Sequence, residues 1–190
     1  SGISCSYSHP VIEDCTFTGN SSGLYGQVIS LYESSAVITN CVISRNNSSA
    51  IASTGMTRPR IMNCTIAFNS GGEYAAIYTN HYFSAISPVI TNSIVWGNSP
   101  GQIGSESLVI PTVTYCDVEG GYEGEGNFHG DPLFADPANG DFHLSVSSPC
   151  MYAGTAEGAP DHDIEGNPRP QGHGYDLGAF QTSDYDKMRP

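Results

Sequence analysis

Basic residues are scarce in this chain: six Lys and Arg stand against 19 Asp and Glu in 190 residues, a formal charge of −13. Nucleic acid and anionic membrane surfaces are themselves negative, so neither is expected as a partner. No apolar run approaches the ~18 residues that cross a bilayer, and no membrane span is expected. Charged residues are only 13 % of the chain, and helical periodicity is nearly missing. Ser, Thr, Asn, Gly and β-branched residues fill the sequence instead. That composition fits a β protein of the cell exterior or cell surface.

Six cysteines are present, and four of them mark a repeat. The copies are Pro10-Val11-Ile12-Glu13-Asp14-Cys15-Thr16-Phe17, Ala36-Val37-Ile38-Thr39-Asn40-Cys41-Val42-Ile43, Arg60-Ile61-Met62-Asn63-Cys64-Thr65-Ile66, Pro88-Val89-Ile90-Thr91-Asn92-Ser93-Ile94-Val95 and Pro111-Thr112-Val113-Thr114-Tyr115-Cys116-Asp117-Val118. The anchor recurs after 26 (Cys15 to Cys41), 23 (Cys41 to Cys64), 29 (Cys64 to Ser93) and 23 residues (Ser93 to Cys116). Periods of this size signal a solenoid. Cysteine and serine alternate at one place, so the anchors read as a buried ladder of small side chains, with a disulfide between stacked neighbours as the alternative.

An aliphatic residue stands three before each anchor and an apolar one two after it. The step of two is strand alternation, with both side chains inward. The step of three needs a corner, and Asp14, Asn40, Asn63 and Asn92 stand there, residue types that tolerate the left-handed backbone. Tyr115 departs from that pattern. Asn20, Asn46, Asn69 and Asn98, five past each anchor, are placed to hydrogen-bond from rung to rung. Asn20, Asn46, Asn47 and Asn63 also begin Asn-x-Ser/Thr triplets, but their ladder and corner positions favour the structural reading over glycosylation. The expected fold is all-β, a single-stranded right-handed parallel β-helix of about five rungs with an irregular C-terminal cap region. At about 4.8 Å per rung the column is on the order of 24 Å tall.

The longest coil carries an aromatic insertion, Gly71 to Phe83. Aromatic faces beside polar groups suit sugar rings, which makes Tyr74, Tyr78, His81 and Tyr82 candidate carbohydrate-binding residues; the alternative is that they continue the core strand. The run Asp161-His162-Asp163-Ile164-Glu165 alternates oxygen ligands around a turn, so Asp161, Asp163 and Glu165 are candidate calcium ligands, against the alternative that Asp caps its own turn. Calcium is the single cofactor suggested. Only Arg45, Arg58 and Arg60 lie within the rungs as bases for a lyase, and the acidic residues there form no repeated pair across a cleft, so no catalytic residue is named.

From Gly120 the pattern changes. Gly120 to Asn127 reads as a flexible link. Beyond it stand Asp131-Pro132-Leu133-Phe134, Gly140-Asp141-Phe142-His143-Leu144, Ser148-Pro149-Cys150, Asp163-Ile164-Glu165-Gly166-Asn167-Pro168-Arg169 and Asp176-Leu177-Gly178-Ala179-Phe180. This succession resembles the C-terminal region of β-helix surface proteins named for a choice-of-anchor Q domain, and the repeats before it look like pectate-lyase-like β-helix repeats. The resemblance implies rungs over 1–119, a cap or appendage over 120–181 and a tail over 182–190. It also implies a surface setting, with a structural or glycan- and matrix-binding role and polysaccharide or other surface proteins as partners. A polysaccharide lyase or glycosidase acting on an acidic polymer is the alternative. The chain enters at Gly2-Ile3-Ser4-Cys5 already in register with a rung, so end-to-end homo-oligomers are a further expectation.

Overall fold

The computed structural model describes residues 2–21, 26–71, 76–80, 87–106 and 110–183. Each rung lays down three short strands. In chain order they are β1 (Ile3–Ser6), β2 (Val11–Glu13) and β3 (Thr16–Thr18); β4 (Gln27–Tyr32), β5 (Val37–Thr39) and β6 (Val42–Ser44); β7 (Ser49–Thr54), β8 (Arg60–Met62) and β9 (Thr65–Ala67); β10 (Ile77–Asn80), β11 (Val89–Thr91) and β12 (Ile94–Trp96); β13 (Ile103–Ser105), β14 (Thr112–Thr114) and β15 (Asp117–Val118). Equivalent strands stack in parallel into three five-stranded sheets. Sheet A joins β1, β4, β7, β10 and β13, sheet B joins β2, β5, β8, β11 and β14, and sheet C joins β3, β6, β9, β12 and β15. The register is the one the repeats predict, with Ile12 on Ile38, Ile38 on Ile61, Ile61 on Ile90 and Ile90 on Val113.

Side chains of like shape therefore pile up along the axis. Ile29, Ile51 and Ile77 from sheet A, Ile38, Ile61 and Ile90 from sheet B, and Ile43, Ile66 and Val95 from sheet C fill one continuous core. Each is 1 % exposed or less, and burying such a side chain contributes about 1.5–3 kcal/mol. The cysteine ladder sits at the B–C corner inside that core. Cys41, Cys64 and Cys116 each donate the thiol to the carbonyl two residues earlier, at 3.2 Å, and Ser93 makes the same bond with its hydroxyl at 3.0 Å. All six cysteines are free thiols. Because serine already fills the slot at one rung, Cys64→Ser is expected to cost only about 1 kcal/mol in a urea melt. Cys64→Leu should cost about 3 kcal/mol by overpacking.

The corner residues adopt the left-handed backbone: Asp14, Asn40, Asn63 and Asn92 have φ between +48° and +52°. Tyr115 keeps the corner too, at φ +50°, although a bulky residue pays about 1–2 kcal/mol there. Its N–H donates to the Glu125 carbonyl (2.8 Å), its hydroxyl donates to Glu125 Oε1 (2.9 Å), and its ring packs where Gly126 has no Cβ. The asparagine ladder is continuous: Nδ2 of Asn20 donates to Oδ1 of Asn46 (2.9 Å), Asn46 to Asn69 (2.7 Å) and Asn69 to Asn98 (2.9 Å). Asn46, Asn63 and Asn69 are 1 % exposed or less, which removes the first two from consideration as modified residues in the folded chain.

The segment after Gly120 differs from the expected flexible link. Phe128 N–H donates to the Cys116 carbonyl and Val118 N–H to the Phe128 carbonyl, while Asn127 accepts from Cys116 N–H and donates to the Val113 carbonyl. Tyr122 packs onto the core. This stretch closes the last rung, satisfying backbone groups that would otherwise be stranded. The chain then runs back along the side of the column as an antiparallel hairpin, β16 (Phe134–Asp136) and β17 (Asp141–Leu144), followed by irregular turns that we call the cover.

Candidate functional site

The three outer faces of the column have different fates. Sheet C turns Val42, Ala67, Ile94 and Trp96 outward, and the cover buries that face with Phe142, Leu144, Cys150, Leu177 and Ala179. The cover is fastened along the B–C corner by the asparagines themselves. Asn40 Nδ2 donates to the His162 carbonyl, Asn63 Nδ2 to the Asp176 carbonyl, and Asn92 Nδ2 to the Thr155 carbonyl. The same residues thus shape the corner and hold the lateral segment.

The C-terminal motifs serve the cover's own architecture. Asp163 is 1 % exposed. Its Oδ1 accepts the N–H groups of Glu165 and Asn167, and its Oδ2 accepts Asn167 Nδ2 and Gln181 N–H. Arg169 is buried and donates to the carbonyls of Asp176 and Gly178 and to Gln181 Oε1. Burial lowers its pKa to about 10, with Asp163 and Asp176 countering. Gly178, at φ +84°, lies against Thr65 and Ile94, where a Cβ would fall 2.7 Å from Thr65 Oγ1.

The three candidate calcium ligands do not converge. Asp163 spends both oxygens on N–H donors, as an Asp capping its own turn does. Asp161 points outward and pairs with His162 Nδ1 (2.6 Å), and Glu165 reaches His143 Nε2 (3.2 Å). Among the described residues no group of three metal-ligating side chains gathers.

Two histidines are each held between two carboxylates. His143 has Asp141 at Nδ1 (2.6 Å) and Glu165 at Nε2 (3.2 Å); His162 has Asp161 at Nδ1 (2.6 Å) and Asp14 at Nε2 (3.2 Å). A neutral imidazole has one N–H, so only the imidazolium satisfies both contacts. Burial presses the His143 pKa down, but hydrogen bonds to Asp141 and Glu165 outweigh it and the net shift is upward. For His162 the bonds to Asp161 and Asp14 raise the pKa against slight burial. With both nitrogens engaged, neither ring is placed as a general base. An NMR titration is expected to put both midpoints above the usual ~6.5. These contacts therefore add most stability below ~6.5 and lose it as pH rises through the shifted values.

Sheet A carries the aromatic candidate that is described. Tyr78 is 6 % exposed; its hydroxyl donates to Glu106 Oε2 (2.7 Å), and Asn80 Nδ2 donates to the Tyr78 oxygen (3.1 Å) and to Glu106 (3.3 Å). Its ring is part of the wall, in keeping with the strand-continuing alternative. Tyr74, His81 and Tyr82 lie outside the described residues. Glu106 was not singled out from the sequence. The 26-residue separation from Asn80, one full rung, was the signal that could have found it.

Sheet B keeps an accessible outer face. Between β8, β11 and β14 and the turn at Thr155–Glu157 runs a groove of about 300 Å³, lined by Arg58, Arg60, Thr91, Thr112, Thr114, Tyr115, Glu125 and Glu157. Thr91 and Thr114 pair hydroxyls at 3.3 Å. Arg58 and Arg60 are exposed, and among the described residues neither joins an ion pair with a carboxylate. In a chain with about three times as many acids as bases, two guanidiniums without a carboxylate partner lining one groove mark this as the candidate binding face.

No curated protein and no solved structure shows a significant match to the chain. The family model described as "Right handed beta helix region" matches residues 1–124, the span of the stacked rungs and most of the turn that closes them. With the three parallel sheets and their side-chain ladders already in view, that match establishes that the chain belongs to the right-handed β-helix family.

Proposed function

We propose that the chain is a non-catalytic β-helix module of the cell exterior or cell surface that binds acidic polysaccharide along the groove on sheet B. The observation that carries this reading is that Arg58 and Arg60, neither in an ion pair with a carboxylate among the described residues, line one groove with Thr91, Thr112 and Thr114, with Glu125 and Glu157 at the same groove. Guanidinium forks match carboxylates, while threonine methyls and hydroxyls suit the two kinds of surface a sugar presents. The Ser-, Thr- and Asn-rich composition supports the extracellular placement, as does the likeness of the C-terminal motifs to choice-of-anchor Q surface proteins. Affinity electrophoresis in gels containing polygalacturonate, alginate or neutral glucan tests it. Retardation by the acidic polymers, weakened about tenfold or more by Arg58→Ala with Arg60→Ala, is expected; equal mobility in all gels would refute it. Unsaturated products in the same mixtures would favour a lyase instead.

A further inference from the structure

Asp117 is the one acidic residue in an outward row otherwise made of Thr16, Val42, Thr65 and Ile94. It is fully buried. The cover seals it in: Oδ1 accepts the Gly130 N–H (3.0 Å), and Oδ2 accepts the thiol of Cys150 (3.2 Å). Cys150 is itself fully buried in an apolar cluster with Ile94, Leu144 and Leu177, against which Trp96 and Phe128 pack. Two donors, one of them a weak thiol, are few for a carboxylate out of water. An uncharged carboxyl suits the place better.

We propose that Asp117 and Cys150 form a proton-operated clasp: with Asp117 uncharged the cover seals onto the last rung, and ionisation of Asp117 loosens it. The charged groups facing the carboxyl are His129, which favours ionisation, and Asp131, which opposes it. Burial dominates and pushes the Asp117 pKa up to about 6, the bonds from Cys150 and Gly130 acting the other way. The Cys150 thiol is raised as well, first by burial and then by Asp117, so it stays protonated as the donor. The native state thus binds the proton more tightly than the unfolded chain does. The stabilisation is complete below the ordinary carboxyl value near 3.8 and is lost as pH rises through about 6, a change of about a hundredfold in the folding equilibrium.

The test uses urea unfolding of residues 1–190 from pH 4 to pH 8. The readout is the fluorescence of Trp96, the sole tryptophan, which packs in the same cluster. Asp117→Asn removes the titration, and the contributions of His143 and His162, which pair with other carboxylates in both proteins, cancel in the ratio of their folding constants. That ratio is expected to shift about thirtyfold in favour of the variant between pH 4 and pH 6, and about sixtyfold in all by pH 8, where it levels off. Cys150→Ser supplies a stronger donor to the carboxylate and should move the inflection to lower pH. Hydrogen exchange should place the pH-dependent opening in 128–151 rather than in β5 to β9. A ratio independent of pH overturns the clasp, as does an inflection that Cys150→Ser leaves in place. Should Asp117→Asn not fold, Cys150→Ser against the unaltered protein decides on the same inflection.

Discussion

Asn69→Ala is expected to lower the unfolding free energy by about 4 kcal/mol, a large part of the total for a domain of this size. Nδ2 of Asn69 donates to the Ile43 carbonyl and to Asn98 Oδ1, and its Oδ1 accepts both the backbone N–H and the side-chain Nδ2 of Asn46. Truncation strands several groups at once in a place water does not reach, at about 1–3 kcal/mol for each. Asn20, at the partly exposed end of the same ladder, serves as the control. It donates to Asn46 Oδ1 and to the Thr18 carbonyl, and solvent can replace much of what Asn20→Ala removes, so about 1 kcal/mol is expected there. Urea midpoints of the two variants check the difference. Equal losses would mean that the ladder's buried middle carries no special weight.

Phe142→Ala is expected to cost about 4 kcal/mol, with its effect on the cover rather than on the rungs. The ring is 2 % exposed. It meets Phe134 edge-on at 5.2 Å and stacks with Phe68 at 6.2 Å, and it closes the cluster of Val42, Ala67 and Ala179 across the cover–column boundary. Losing it opens a cavity where the two layers meet. A red shift of Trp96 emission at urea concentrations that leave far-ultraviolet circular dichroism unchanged would show the cover departing first. Coincident loss of both signals would place Phe142 in the common core instead.

The column was legible because its instructions are repeated. Ile38, Asn40, Cys41 and Ile43 recur in register at four further rungs with few exceptions, so each position could be read several times and its shape and polarity averaged. Tyr115 was misleading by residue type alone, since its neighbours Glu125 and Gly126 hold it in the corner. Nothing in the cover repeats, and its partners are far away in sequence: His162 meets Asp14 across 148 positions. For the same reason the asparagine corner reads in sequence as a turn device, and its part as the rail that holds Thr155, His162 and Asp176 comes only with the fold. The chemistry of the candidate face was hidden more deeply. In sequence Arg58 and Arg60 read as possible bases; that neither has a carboxylate partner among the described residues is a fact of three-dimensional placement. Glu106 is hidden because the cysteine anchors the fifth copy in sheets B and C, while Glu106 follows the strand of sheet A, 26 residues after Asn80.

A stack in which each rung touches only the next behaves like a row of coupled beads and can fray from one end. The lateral segment alters that arithmetic. It reaches Asp14 in the first rung, Asn40 in the second, Asn63 and Thr65 in the third, Asn92 and Ile94 in the fourth and Asp117 in the fifth. Detaching any one rung therefore disturbs contacts that the same strap makes with all the others. Residues 130–182 act as a splint that turns a linear array into one cooperative unit, so the whole length should melt in a single transition.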